Sequence, residues 1–130
     1  MANPNIVSVA TIEGGNLGWN LTNTLTTQLL TVASEYVVKV NRIVCTNIHA
    51  TDAANLNLYV DGLGNGSAGF TGTTGDATVY LAKVISVPAN ASLVVTDTPI
   101  YLLEGDILKG GSSATSTLEL FISYEVLDDA

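Results

Sequence analysis

Cys45 and His49 are the residues with the most obvious catalytic potential, since the chain has one cysteine and one histidine. A cysteine nucleophile needs a histidine base in direct contact and a third group that orients the base. On one strand, residues four positions apart have Cα atoms about 13 Å apart, which is too far for contact. The spacing therefore predicts that Cys45 is a small core residue and His49 a strand-end or loop residue. One cysteine and one histidine are also too few for a zinc site. We expect no enzyme activity and no bound metal.

A glycine-rich segment from Asp61 to Asp76 offers two further possibilities. Residues 64–69 match the G-x-G-x-x-G pattern of dinucleotide-binding loops, which must lead into a helix that faces the pyrophosphate. The following residues, FTGTTG, cannot start a stable helix, so no nucleotide or other cofactor is expected. Calcium ligation by Asp61, Asn65 and Asp76 is the other alternative, but these residues lack the regular spacing of a calcium loop. The segment is predicted to be a long connection that a neighbouring chain could order.

The composition limits the class of protein. Of 130 residues, 47% are hydrophobic and 12% are charged, which is typical of a folded domain rather than a disordered chain. Twelve acidic residues against four basic ones give a net charge of −8, which repels a phosphate backbone. No apolar run approaches the ~20 residues of a membrane span, and no signal-peptide pattern is present. The length predicts one domain over residues 1–130. The net charge predicts that nucleic acid is not a partner, and the lack of a long apolar run predicts that a membrane is not a partner.

Alternation of apolar and polar residues predicts strands in most of the chain. The pattern is clearest over 118–126, where every second residue is apolar. Tyr36–Ile48 is predicted as a long strand with a bulge near Asn41 and Arg42, because its alternation changes phase there. Further strands are predicted at Ile6–Ile12, Leu25–Val32, 55–60, Ala77–Val87, Ser92–Thr96, Tyr101–Leu103 and Ile107–Lys109.

Turns are predicted where glycine, proline, asparagine and small polar residues cluster, at 13–16, 33–35, 87–90, 104–106 and 110–113. No window shows a convincing helical stripe. Eight or nine short strands without crossover helices predict an antiparallel β-sandwich of the jelly-roll or immunoglobulin-like type.

Large aromatic side chains are too numerous for a thin sandwich of this size to bury all of them. Tyr59 and Phe121 lie opposite the apolar face of their own strands, and Phe70 is the one large apolar residue in the glycine-rich segment. Such side chains predict a second buried surface, at a contact with a subunit or partner. The candidate interface residues, including three from an N-terminal arm at 1–5, are Asn3, Pro4, Asn5, Tyr59, Phe70 and Phe121.

Three segments carry a resemblance to a known class of protein. YLAKVISVPANASLVV (80–95), PIYLLEGDIL (99–108) and LFISYEV (120–126) resemble the small virion structural proteins of tailed bacteriophages, those of cyanophages especially. The resemblance covers roughly 25–127 and rests on strands joined by VPAN and LLEGD turns. It implies a β-sandwich that assembles on a phage particle as a symmetric oligomer, such as a trimer, and it implies no catalytic residue.

The resemblance implies a capsid decoration (cement) protein that contacts copies of itself and the major capsid protein or other virion proteins. Its location would be the virion, after synthesis in the host cytoplasm. One alternative is a neck, tail, fibre or baseplate-associated subunit. A carbohydrate-binding module is a further alternative, which would need aromatic and polar side chains gathered on one surface. The sequence alone shows no such compact cluster.

Overall fold

The computed structural model describes residues 10–63 and 75–128, and every regular element in these ranges is a β-strand. The nine strands are β1 (Thr11–Asn20), β2 (Gln28–Thr31), β3 (Tyr36–Asn47), β4 (Ala54–Asp61), β5 (Val79–Val87), β6 (Ser92–Thr96), β7 (Ile100–Leu102), β8 (Ile107–Ser112) and β9 (Leu118–Asp128). In these ranges there is no helix long and apolar enough to span a membrane. The strand predicted at Ile6–Ile12 falls mostly outside the described residues.

The strands form two antiparallel sheets. The first sheet has the order β1-β9-β3-β6, with β7 also paired to β3, and the second has the order β2-β8-β4-β5. Because β6 and β7 pair with successive parts of β3, they act as one interrupted edge strand. The first and last strands are thus neighbours in one sheet, and the second and next-to-last are neighbours in the other. This interleaved order is that of a jelly roll, and the predicted antiparallel sandwich is confirmed.

The core lies between the two sheets and is filled by alternate residues of each strand. On β9 the predicted alternation is confirmed, since Leu118, Leu120 and Ile122 are at most 1% exposed. Side chains from both sheets with no exposed surface meet them, namely Val40, Ile43, Cys45, Leu56, Leu58 and Leu108.

The predicted bulge in β3 is also confirmed. Val40 pairs with Tyr124 and Arg42 with Ser123, so Asn41 is the extra residue on β3. The insertion returns the apolar residues on both sides of it to the core face, which is why Val40 and Ile43 are both buried despite their odd spacing. The Asn41 side chain donates a hydrogen bond to Glu125 Oε1 at 3.3 Å.

Two of the predicted turns have the expected backbone. Asn90 has φ +57° and Gly105 has φ +87°, both in the left-handed region that asparagine and glycine tolerate best. The amide of Ala91 donates to the carbonyl of Pro88 at 3.1 Å and closes the turn between β5 and β6. Glu35, in the turn between β2 and β3, has φ +68°.

The turn predicted at 13–16 is wrong, because these residues lie inside β1 and pair with β9. Gly15 is opposite Tyr124, and a Cβ added at Gly15 would lie 2.6 Å from the Tyr124 hydroxyl oxygen. The tyrosine ring therefore covers the glycine and replaces the packing that a side chain would supply.

The turn predicted at 110–113 is also wrong, because Gly110 and Gly111 belong to β8. A Cβ on Gly111 would lie 2.7 Å from the carbonyl oxygen of Thr24 and 2.8 Å from that of Thr22. Here glycine marks the close approach of another backbone rather than a chain reversal.

The predicted start of β2 at Leu25 is too early, since the Thr27 hydroxyl donates to the carbonyl of Thr24 at 2.7 Å and holds these residues in a turn.

Substitution Gly110→Ala should destabilise the sandwich, because the added Cβ would overlap the carbonyl oxygen of Asn57 on the neighbouring strand. We expect the free energy of unfolding to fall by about 1–3 kcal/mol. Gly14→Ala is the matched control, since the nearest atom to its added Cβ is the Tyr124 carbonyl oxygen at 3.9 Å. Urea unfolding of both variants measures the difference, and equal stabilities would contradict the close-approach explanation.

Candidate functional site

The two residues with catalytic potential are placed as the sequence predicts. Cys45 has no exposed surface, and burial raises the pKa of its thiol to about 11. The thiol is therefore protonated at neutral pH and is a poor nucleophile. His49 lies in the loop after β3, where its Nδ1 accepts hydrogen bonds from the amides of Thr51 at 3.2 Å and Asp52 at 2.9 Å. Cys45 thus packs in the core, while His49 stabilises a loop.

Asp61 is bonded to groups of its own chain. Its Oδ1 accepts hydrogen bonds from the Thr78 hydroxyl at 2.7 Å and the Gly62 amide at 2.9 Å, and its Oδ2 accepts one from Lys109 Nζ at 2.7 Å. Led by the bond from Lys109, these contacts lower the pKa of the Asp61 carboxyl to about 2. The Asp61 carboxylate thus bonds to Thr78, which lies just beyond the glycine-rich segment, and to Lys109 of β8.

Of the other two residues considered for a calcium site, the structure describes Asp76. Asn65 lies outside the described residues. Within the described ranges, no group of three or more histidine, cysteine, aspartate or glutamate side chains is placed to hold a metal ion.

Of the six candidate interface residues, the structure describes Tyr59 and Phe121. Asn3, Pro4, Asn5 and Phe70 lie outside the described residues, as does the G-x-G-x-x-G stretch. Tyr59 and Phe121 lie on different sheets, Tyr59 with 9% and Phe121 with 49% of its surface exposed.

Tyr59 is covered by its neighbours on the outer face of the second sheet. It pairs with Lys109 on one side and with Tyr80 on the other, and its ring centroid is 5.0 Å from that of Tyr80. Lys83 Nζ lies 5.1 Å from the centroid of the Tyr80 ring, within cation–π range. The row formed by Lys109, Tyr59 and Tyr80 depends on the register of β8, β4 and β5, so the sequence alone did not reveal it.

A concentration of exposed apolar side chains lies along β5, at the edge of the second sheet. Among the described strands β5 pairs with β4 alone. Its nine residues contain five of the twelve large hydrophobic side chains that are exposed in the described part of the chain. We define the β5 edge as these five residues, Val79, Tyr80, Leu81, Val84 and Ile85.

Val84 is the most unusual residue of the β5 edge. It lies at a register shift against β4, has φ +52°, and is 58% exposed. Its amide donates to the Asn57 side chain at 3.2 Å, which fixes the irregular backbone. A β-branched residue is disfavoured in this conformation, by about 1–3 kcal/mol. Val84 therefore combines backbone strain with the exposure of an apolar side chain.

A groove of about 350 Å³ lies on the outer face of the first sheet. We call it the Phe121 groove, and it is lined by Gly18, Trp19, Asn20, Thr46, Glu119, Leu120 and Phe121. It combines the aromatic ring of Phe121 with a carboxylate, an amide and a hydroxyl. Comparison of the chain with protein-family models, curated proteins and solved structures gives no match.

The Asp61 contacts predict a pH dependence of stability. Because the pKa of the Asp61 carboxyl is lower in the folded state, its contacts stabilise the fold above the unfolded-state pKa of about 4. This stabilisation is lost as the pH falls towards 2. Asp61→Asn should therefore lower the melting temperature at pH 5, and its difference from the parent protein should shrink between pH 4 and pH 2. Thermal unfolding across this range measures the difference.

Asp97→Asn, which changes an exposed aspartate in the turn after β6, is the control for the loss of one negative charge. A constant difference between Asp61→Asn and the parent protein at all pH values would contradict the role given to the Asp61 carboxylate.

Proposed function

We propose that this chain is a virion structural protein of a tailed bacteriophage, acting as a capsid decoration protein that associates with copies of itself through the β5 edge. The observation that carries the self-association is Val84, an apolar side chain held exposed by a strained bulge. Strain of this kind persists where the surrounding structure requires it, often at functional contacts. Burial of Val84 against a partner would offset the cost of its exposure.

The charge distribution favours a second copy as the occupant of the β5 edge. Lys83 is the one charged residue of β5, and the strand contains no carboxylate, whereas the whole chain has a net charge of −8. A surface of another copy that carries some of those carboxylates would be complementary to Lys83. Two different surfaces that meet head to tail form a closed ring where the rotation between copies allows it, and the resemblance implies a trimer.

The proposed mechanism is mechanical support of the shell. A ring of rigid sandwiches would lie across junctions between major capsid proteins and bury apolar surface there, at about 25 cal/mol per Å² before the costs of association. The two-sheet architecture suits this role, because its hydrogen-bonded ladders join strands that are far apart in the chain.

The assignment to a phage particle rests on the resemblance of residues 80–95, 99–108 and 120–126, together with an analogy of fold. Jelly rolls are common in viral capsid domains, but the same fold also serves other functions, so the analogy is supportive only. A neck, tail, fibre or baseplate subunit is the alternative location. Imaging of the intact particle distinguishes the two, since copies spread over the shell indicate decoration and a single ring indicates the tail.

Val79→Asp tests the proposed self-association, with Val94→Asp as the control. Both valines are 46% exposed, but Val79 lies on the β5 edge and Val94 on the outer face of the first sheet. We expect Val79→Asp to weaken self-association by about tenfold or more, because a carboxylate would be buried in the contact. Val94→Asp should leave it unchanged. Sedimentation velocity over a range of concentrations measures both, and equal effects would contradict a contact at the β5 edge.

Val84→Asn distinguishes the effect of backbone strain on stability from the effect of the apolar side chain on self-association. Asparagine tolerates φ +52° better than valine, so the isolated subunit should gain about 1 kcal/mol of unfolding free energy. Self-association should weaken, because the apolar side chain is lost. A variant that is more stable and assembles as well as the parent protein would remove Val84 from the proposed contact.

A further inference from the structure

The outer face of the first sheet carries two parallel rows of side chains with different chemistry. The strand register places one residue from each of four strands in each row. The apolar row consists of Gly18, Phe121, Val44 and Val94. The polar row consists of Asn20, Glu119, Thr46 and Ser92. The rows are two residues apart along each strand, which corresponds to about 7 Å.

The Phe121 groove lies where these two rows meet on β1 and β9. Gly18 is the cross-strand neighbour of Phe121 and leaves open the space beside the ring, since even an added Cβ would be 4.0 Å from Phe121 Cδ2. Nearly half of the Phe121 surface is therefore exposed, with a concave floor beside it. Such a ring offers a flat apolar wall to a small ligand.

The polar side of the groove offers both donors and acceptors. Asn20 and Glu119 are cross-strand partners, and both are exposed. Thr46 stands next to Glu119, and its hydroxyl is 2.9 Å from that of Ser92, which holds it in place. A carboxylate, an amide and a hydroxyl thus line one side of a groove whose other side is an aromatic ring.

We propose that the Phe121 groove binds a neutral saccharide. A sugar ring has an apolar C–H face, which fits Phe121, and an edge of hydroxyl groups, which fits Asn20, Glu119 and Thr46. Mixed apolar and polar lining of this kind is typical of small-ligand sites, and the volume of about 350 Å³ is within their range.

The observations disfavour two other occupants. An anionic ligand would meet the Glu119 carboxylate in a chain whose net charge is −8. An apolar protein segment would cover Asn20 and Glu119 without satisfying their hydrogen bonds, at a cost in desolvation. The groove lies on the first sheet and the β5 edge on the second, so saccharide binding does not depend on the proposed self-association.

The experiment is a titration of the ¹⁵N-labelled protein with methyl β-D-glucopyranoside, methyl β-D-galactopyranoside, N-acetylglucosamine and N-acetylneuraminic acid. We expect at least one neutral sugar to cause saturable shifts at the amides of Gly18 and Phe121. A site with one aromatic wall should have a dissociation constant on the order of 1 mM. The anionic sugar should bind more weakly than the neutral one. Absence of saturable shifts with all three neutral sugars would overturn the proposal.

Phe121→Ala should weaken binding of the sugar that shifts the groove amides by about tenfold. Tyr101→Ala is the matched control, since Tyr101 is 50% exposed on the same sheet and lies outside the groove. Glu119→Gln should weaken binding severalfold, because the carboxylate accepts hydrogen bonds from sugar hydroxyls more strongly than an amide does. Equal losses in Phe121→Ala and Tyr101→Ala would also overturn the proposal. Sugar binding is measured independently of particle assembly, so failure of the saccharide proposal would leave the proposed structural function unchanged.

Discussion

The ladder that β9 forms with β1 and β3 is the constraint on which the rest of the structure depends. β9 is hydrogen-bonded along its whole length on both sides, and its register decides which side chains of three strands face the core. A slip by one residue would bring Phe121 and Glu119 into the core and expose Leu120 and Ile122. The buried aliphatic face of β9 makes such a slip very costly, and the Phe121 groove exists because this register is fixed.

The bulges show how irregularity is used in the two sheets. In β3 the extra residue Asn41 corrects the phase of the alternation, so that the residues on both sides of it reach the core. In β5 the irregularities have the opposite effect, since they turn Val84 out to solvent in a strained backbone. The first bulge contributes to the stability of the sandwich, whereas the second leaves Val84 both strained and exposed.

Features governed by neighbouring residues could be predicted from the sequence. The alternation of β9, the bulge at Asn41 and the turns at Asn90 and Gly105 depend on local periodicity and on the conformations that each residue tolerates. The burial of Cys45 follows from the same local pattern, together with its small apolar side chain.

Features that depend on pairing between distant strands could not be predicted. The sequence predicts turns at Gly15 and Gly110, because a single sequence does not reveal the ring or backbone that lies against each glycine. The row of Tyr59, Lys109 and Tyr80 requires the register of three strands that are not consecutive in the chain. Asn20, Glu119 and Thr46 meet only because β1, β9 and β3 are neighbours, so neither the aromatic row nor the groove was visible in the residue order.

The position of β9 between β1 and β3 has a consequence for synthesis. During translation β1 and β3 emerge long before the strand that joins them, and neither can complete its ladder until β9 has left the ribosome. The first sheet therefore forms late and from contacts between residues far apart in the chain, which is typical of folding in milliseconds to seconds rather than microseconds. Until then the edges of β1 and β3 that will face β9 remain unpaired, and they can pair with the wrong strand of the same chain or of another chain.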